Sequence, residues 1–265
     1  MRQPTYFLSH GGGPWPYMDG PVREAYAKLE QSLKDLFADD QTRPRAVLMV
    51  TAHWEAADFT ISSHPQPPMI YDFGGFPEHT YHVHYRAPGS PDLANHVAGL
   101  LNDGGMTCHL DANRGFDHGT YCVMQPAWPQ ADIPVVQMSI KADYDPRRHI
   151  AAGQLLSRLR DEGVVIIGSG LSYHNLRAFG PGAAAPSRAF DTWLNETLVT
   201  QTGEKRAYDL CLWDQAPAAR QAHPREDHLL PVMVAIGAAM NDQATRIYHE
   251  ADFMGGLSVS SFKFG

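Results

Sequence analysis

Fourteen histidines stand in a chain of 265 residues, against three cysteines. Neutral imidazole is the commonest protein ligand for transition metals, and it exchanges protons near neutral pH. Five of the histidines fall where an α/β chain places its chemistry. His10 follows the apolar run Tyr6–Leu8, and His53 follows the run Ala46–Ala52. His174 follows Val164–Gly168 across the small-residue stretch Ser169–Tyr173. His228 closes His223-Pro224-Arg225-Glu226-Asp227-His228 and is expected in the first turn of a helix. His118 follows Gly115-Phe116-Asp117 and reads as a loop residue. One histidine at a strand end is ordinarily a hydrogen-bonded edge residue. Three apolar strands that each lead to one argue for convergence, because parallel α/β sheets carry their sites at the carboxyl ends of strands. Three or four imidazoles at one point suit Zn, Fe, Cu or Ni.

The remaining histidines read differently. His79, His82 and His84 lie on the alternating stretch Tyr81–Tyr85 or beside it, and read as surface or pocket-rim residues. His64, His96, His109, His149 and His249 read as structural or solvated. The run His10-Gly11-Gly12-Gly13-Pro14 is not a dinucleotide fingerprint, because Pro16 stands where the last glycine would be needed. It is similar to an esterase oxyanion loop, but the nucleophile elbow is missing: Gly170-Leu171-Ser172-Tyr173-His174 ends in histidine. The glycines otherwise serve a tight turn or a close backbone approach after the strand.

The elements that must position these residues alternate between strand and helix. Strands are expected at Tyr6–Leu8, Ala46–Ala52, Phe59–Ser62, Tyr81–Tyr85, Ile133–Ile140, Val164–Gly168 and Leu257–Phe264. The continuous apolar runs among them suit buried parallel strands. Helices are expected at Val22–Phe37, from Ser90 to Asn102, and at Arg147–Asp161, Ser187–Thr200 and Pro224–Met240. Ser90-Pro91-Asp92 supplies an N-cap, a first-turn proline and an early acid. The alternation implies an α/β fold: one domain over residues 1–265, with a central mixed, largely parallel sheet flanked by helices and the metal site at the strand ends.

Composition bounds the function classes. Apolar residues make up 43% and charged residues 19%, as in a folded enzyme and unlike a disordered chain. Lys and Arg number 21 and Asp and Glu 29, a net charge of −8 with no basic cluster. Nucleic acid and anionic membrane are therefore not expected partners. No run approaches the about 20 apolar residues of a membrane span. The start MRQPTYFLSHGGG does not read as a secretory signal. Cys108, Cys122 and Cys211 form no CxxC pair and read as reduced thiols, so a cytoplasmic location is expected. Monomer and homodimer both stay open.

Taken in order, the motifs resemble the DODA-type (4,5-DOPA) extradiol dioxygenases, of the class III extradiol superfamily that includes the protocatechuate 4,5-dioxygenase catalytic subunit. The resemblance runs through Ser9–Pro14, Thr51–Glu55, Tyr71–Pro77, Ala87–Pro91, Arg114–Thr120, Ile133–Gln137, Gly168–Asn175 and His223–His228, collinear over nearly the whole chain. It implies a single α/β domain with a divalent metal in a cleft at the strand ends. It implies His10, His53 and His228 as metal ligands and His174 as the acid/base, near enough to ligate the metal in a resting zinc form. It implies His118 as a second catalytic histidine that hydrogen-bonds the substrate. Many superfamily members carry a carboxylate as third ligand, whereas the DODA-type branch carries histidine, here His228. The implied reaction opens the ring of a small aromatic diol, a DOPA-like or other catechol, with O2. Fe(II) is the metal expected for this oxidation, and Zn(II) is one the same nitrogens would hold. A zinc-dependent hydrolase on the same histidines, or a non-catalytic binding protein of the same fold, are the alternatives.

Overall fold

A computed structural model describes residues 2–37 and 43–265. Eight strands form one sheet: β1 (Thr5–Ser9), β2 (Ala46–Ala56), β3 (Phe59–Ser62), β4 (Cys108–Asp111), β5 (Val135–Lys141), β6 (Val164–Gly170), β7 (Ala244–Phe253) and β8 (Leu257–Phe264). The helices are α1 (Pro21–Glu24), α2 (Ala27–Lys34), α3 (Pro91–Asp103), α4 (His118–Ala127), α5 (Pro146–Leu156), α6 (Ala184–Thr200), α7 (Gly203–Cys211), α8 (Ala219–Ala222) and α9 (Leu230–Ala238). Strand order is β4-β3-β5-β2-β6-β1-β8-β7. The central strands β5, β2, β6 and β1 are parallel to one another. β8 adds to β1 antiparallel, β7 to β8 antiparallel, and β3 to β5 antiparallel. The expected mixed, largely parallel sheet is therefore present, flanked by helices.

The parallel strands are buried on both faces, which is why they read as unbroken apolar runs. Successive strand residues point to opposite faces, and β6 shows what covers each. A Cβ at Gly168 would lie 2.3 Å from the Pro231 carbonyl oxygen of α9. The hydroxyl of the next residue, Ser169, donates to the Gly119 carbonyl of α4 at 2.5 Å. A Cβ at Gly170 points back to the first face, 2.1 Å from the His228 carbonyl oxygen. So α9 and the turn before it cover one face, α4 covers the other, and both meet the sheet at the carboxyl end of β6. α9 is buried all round, with α5 packed outside it.

Several elements differ from the sequence reading. The helix expected over Val22–Phe37 breaks at Ala25-Tyr26 into α1 and α2. There Tyr26 turns inward to stack on Trp15 at 4.9 Å, and its hydroxyl accepts the Gly12 N–H at 3.0 Å. Tyr81–Tyr85 is not a strand. Glu78–His82 forms a 3₁₀ turn closed by Thr80, which bonds the Pro77 carbonyl, and the chain then runs extended without a partner strand. Pro224–Leu229 is a turn, so His228 precedes α9 rather than lying in its first turn. The His228 carbonyl is taken by the Leu171 N–H at 3.1 Å, and Pro231 fits the helix start, where no N–H is needed. His118 is the first residue of α4, not a loop residue. α4 escaped notice because His118-Gly119-Thr120-Tyr121 and Pro126 are weak helix formers and the helix is buried on nearly every side. β4 and β7 were also unforeseen. The three cysteines are free, as expected.

Gly170→Ala puts a methyl group into the His228 backbone. It is expected to destabilise the fold by about 1–3 kcal/mol, the usual cost of overpacking. Denaturant unfolding is the measurement, and an unchanged midpoint would show that the His228 turn is not seated on β6.

Candidate active site

The five histidines singled out by their positions meet in one cavity of about 770 Å³. His10 leaves β1 directly after Ser9, and its N–H donates to the Gly170 carbonyl at 3.1 Å. His53 lies inside β2, not beyond its end. β2 parts from β6 after the Thr51–Ser169 pair, and its register with β5 slips so that Val50 faces Met138 while Glu55 faces Ile140. Thr51 to Trp54 therefore bulge out of the sheet, and the bulge carries His53. His228 arrives from the α9 face and His118 from the α4 face. His174 follows β6, and its N–H donates to the Ala222 carbonyl at 2.9 Å. Its ring lies flat on that of His228, with centroids 3.3 Å apart and planes at 14°.

His10, His53 and His228 bring one ring nitrogen each to within 4.8 Å of one another. Nε2 of His53 and Nε2 of His228 are 3.2 Å apart. The His10 ring is 1% exposed, and neither of its nitrogens has a hydrogen-bond partner. An unpartnered buried polar group ordinarily costs about 1–3 kcal/mol. Lone pairs held together in this way, with no protein donor for them, are what a divalent cation takes. The residues fit a metal.

Two carboxylates not singled out for a role from sequence aim the imidazoles. Asp72 Oδ1 lies 2.9 Å from Nδ1 of His118, and its Oδ2 lies 3.2 Å from Nδ1 of His53. Asp227 Oδ2 lies 2.8 Å from Nδ1 of His228. A carboxylate on Nδ1 keeps the proton there and leaves the Nε2 lone pair facing the centre. Burial alone would raise Asp72, but the hydrogen bonds from His118 and His53 hold its carboxyl well below the usual carboxylate range. Burial would likewise lower His53, but the surrounding Asp72, Asp117 and Asp227 raise it instead. His10 and His228 are pushed well below the ordinary histidine value, by burial first and then by the neighbouring histidines. Their rings are neutral, as ligation requires. Burial lowers His174 to about 4, so it is also neutral, where the sequence reading expects titration near neutrality. The only hint of Asp72 in the sequence was its place in the Tyr71–Pro77 motif. Asp227 was visible as the acid beside His228.

Around this centre, the Arg114–Thr120 segment works as scaffold. Asp117 is fully buried and caps α4 by accepting the Thr120 N–H at 3.1 Å. It also accepts the Thr51 hydroxyl at 2.9 Å and an Arg114 N–H at 2.6 Å. The same Arg114 nitrogen reaches the His53 carbonyl at 3.2 Å, and its guanidinium lies over the Trp54 ring at 4.8 Å. One buried ion pair thus fixes both His53 and His118. On the other side Gly11 and Gly13 take positive φ of 78° and 56°. A side chain at Gly13 would strike the Phe76 ring at 2.3 Å. The glycines let the turn after β1 lie against the aromatic wall, and no dinucleotide or oxyanion role is needed to account for them.

Residues 4–262 match the family described as the catalytic LigB subunit of aromatic ring-opening dioxygenase. The chain belongs to this family. It is 36% identical over 265 residues to the 4,5-DOPA dioxygenase extradiol of Beta vulgaris, covering 98% of this chain and 96% of that one. It is 34% identical to the Escherichia coli K12 protein of the same name, over all of this chain and 95% of that one. A crystal structure of an uncharacterised Escherichia coli K12 protein superposes at a TM-score of 0.75 with 29% identity, over the full length of both chains. These relationships place the dioxygenase among the extradiol ring-cleaving enzymes, which are oxidoreductases. An aromatic substrate and O2 follow from the family. Among the described residues, no helix of the dioxygenase is long and apolar enough to cross a membrane.

Asp117→Ala would leave Arg114 buried without its partner and α4 without its cap. The dioxygenase variant is expected to lose about 3–5 kcal/mol of stability, as when one partner of a buried ion pair is removed. Chemical denaturation measures this, and a loss below about 1 kcal/mol, the worth of a surface pair, would mean that the Asp117 network does not hold the site.

Proposed function

We propose that the dioxygenase opens the ring of a catechol beside a divalent metal held by His10, His53 and His228, with the whole chain serving as one catalytic domain in the cytoplasm. The observation that carries this reading is the buried His10 ring, whose nitrogens have no protein partner and which faces His53 and His228. Fe(II) in this site would supply the electron transfer from catechol to dioxygen that zinc has no redox chemistry to perform.

The chain's own residues supply orientation and proton handling. Asp72 and Asp227 hold protons on Nδ1 of His53 and His228, leaving their Nε2 atoms free as ligands. His174 is neutral at physiological pH. It takes the proton released as a catechol hydroxyl ionises and returns it as the ring opens. His174 also lies near enough to Asp227 and His228 to join a resting ligand set. His118, anchored through Nδ1 on Asp72, offers Nε2 to the substrate oxygens. Both oxygen atoms of O2 enter the ring-opened semialdehyde acid. The aromatic wall of Phe76 and Tyr26 keeps water from the reacting centre.

The test is anaerobic loading with Fe(II) followed by oxygen uptake and appearance of a yellow ring-fission product from a catechol. Stoichiometric metal, uptake and product together are the expected result. Hydrolysis of esters or amides by zinc-loaded protein, with no uptake by the iron form, would overturn the reading. His10→Ala is expected to lose most bound metal, and full occupancy in that variant would remove His10 from the ligand set. His174→Ala is expected to keep its metal and lose about 10²–10⁴-fold in kcat, the usual worth of a general acid/base. Metal and activity lost together would make His174 a required ligand instead, which metal content and kcat on one preparation decide.

A further inference from the structure

Six large hydrophobic side chains are exposed among the described residues. Four of them, Val22, Leu176, Phe179 and Met254, line the cavity that holds the five histidines. They come from three separate parts of the chain: α1, the segment between β6 and α6, and the turn between β7 and β8. Leu176 is 69% exposed. Met254 takes φ of 52°, an uncommon backbone for a residue with a side chain, directly before Gly255-Gly256. Isolated exposed hydrophobics are ordinary on a soluble protein, but an apolar collar gathered at one mouth marks a binding surface. Phe253, Leu257 and Val259 continue it inward. A cavity of about 770 Å³ is far larger than a lone ring with two hydroxyls would fill.

The charges on the same walls point the same way. Glu55, Asp72 and Asp227 line the cavity, and Arg225 is its one Lys or Arg among the described residues. Arg225 is already ion-paired with Glu55, and its guanidinium lies 4.9 Å from the centre of the Tyr144 ring. A carboxylate on the substrate would have to displace Glu55 from Arg225 and would meet the other two acids. An uncharged apolar group has the collar waiting for it.

We infer that the ring this enzyme opens carries an apolar, uncharged substituent seated against Leu176, Phe179 and Met254, and not a carboxylate or amino-acid side chain. The inference rests on the catechol reading above. The hydroxyls anchor at the histidines, and the substituent runs outward along the apolar wall. Each methylene carbon buried there is expected to contribute about fourfold in affinity.

The probes are catechol, propylcatechol, dihydrocaffeate and DOPA. Dissociation constants are measured by calorimetry under argon on the zinc-loaded protein, which binds without turnover, and kcat/KM on the iron-loaded protein. Propylcatechol is expected to bind at least tenfold more tightly than catechol, dihydrocaffeate or DOPA, with kcat/KM in the same order. The double variant Leu176→Ser, Phe179→Ser is expected to remove most of that advantage while binding catechol as before. Dihydrocaffeate or DOPA binding as tightly as propylcatechol, with the double variant neutral, would overturn the inference and leave the catechol reading standing. A carboxylate preference abolished by Arg225→Met would overturn it in favour of Arg225 as an anion receptor. If none of the four binds to the zinc form or is consumed by the iron form, the catechol reading fails and the inference falls with it.

Discussion

The backbone of Gly170 and Leu171 at the end of β6 joins two of the three converging imidazoles. The Gly170 carbonyl accepts the His10 N–H, and the Leu171 N–H donates to the His228 carbonyl. One histidine belongs to the first strand and the other to the turn before the ninth helix, yet both hang on adjacent residues. The third, His53, comes from the strand on the other side of β6. Everything else in the site adjusts to this clamp. Gly168 and Gly170 lack side chains so that α9 and its preceding turn can lie on β6. The bulge of β2 turns His53 toward the same point.

Bringing several imidazoles together in a buried place creates an electrostatic problem. Protonated rings would repel each other and lose their hydration. The protein answers with anions behind the rings rather than between them. Asp72 serves two histidines and Asp227 serves one, each from the Nδ1 side. The centre is left with outward lone pairs and no proton to fill them. Asp117 performs a different task, neutralising Arg114 and capping α4, and so fixes positions rather than charge. Four neutral or weakly basic rings backed by carboxylates are arranged for a cation, and the stacked His174 is the ring best placed to exchange protons beside it.

Much of this was legible from residue order alone, for a physical reason. Buried parallel strands must be apolar along their whole length, so Ala46–Ala52 and Val164–Gly168 stood out, and the histidines at their ends stood out with them. Helix α3 was equally clear, because Ser90 caps it and Pro91 starts it. What stayed hidden was controlled by distant contacts. Tyr26 breaks a well-patterned helix because Trp15 and Gly12 hold its ring elsewhere. The alternation in Tyr81–Tyr85 mimics a strand, but no neighbouring strand exists to pair with it. Helix α4 is buried on nearly all sides and so has no polar face to set its period. Asp72 could not be weighed because a lone acid in a glycine-rich loop carries no mark of the two rings it will meet.

The place of β6 has a consequence for how the protein comes into being. β1 and β2 are made early in synthesis, but they are not neighbours in the sheet. The strand that lies between them is completed more than a hundred residues later, and His228 later still. A growing chain therefore has no partial version of the site in which His10 and His53 already share a cation. Closing β1 and β2 around β6 demands contacts between remote parts of the sequence, the slow kind of assembly. Ion capture and completion of the sheet become a single late event, and an ion that arrives early finds only separate, solvated histidines.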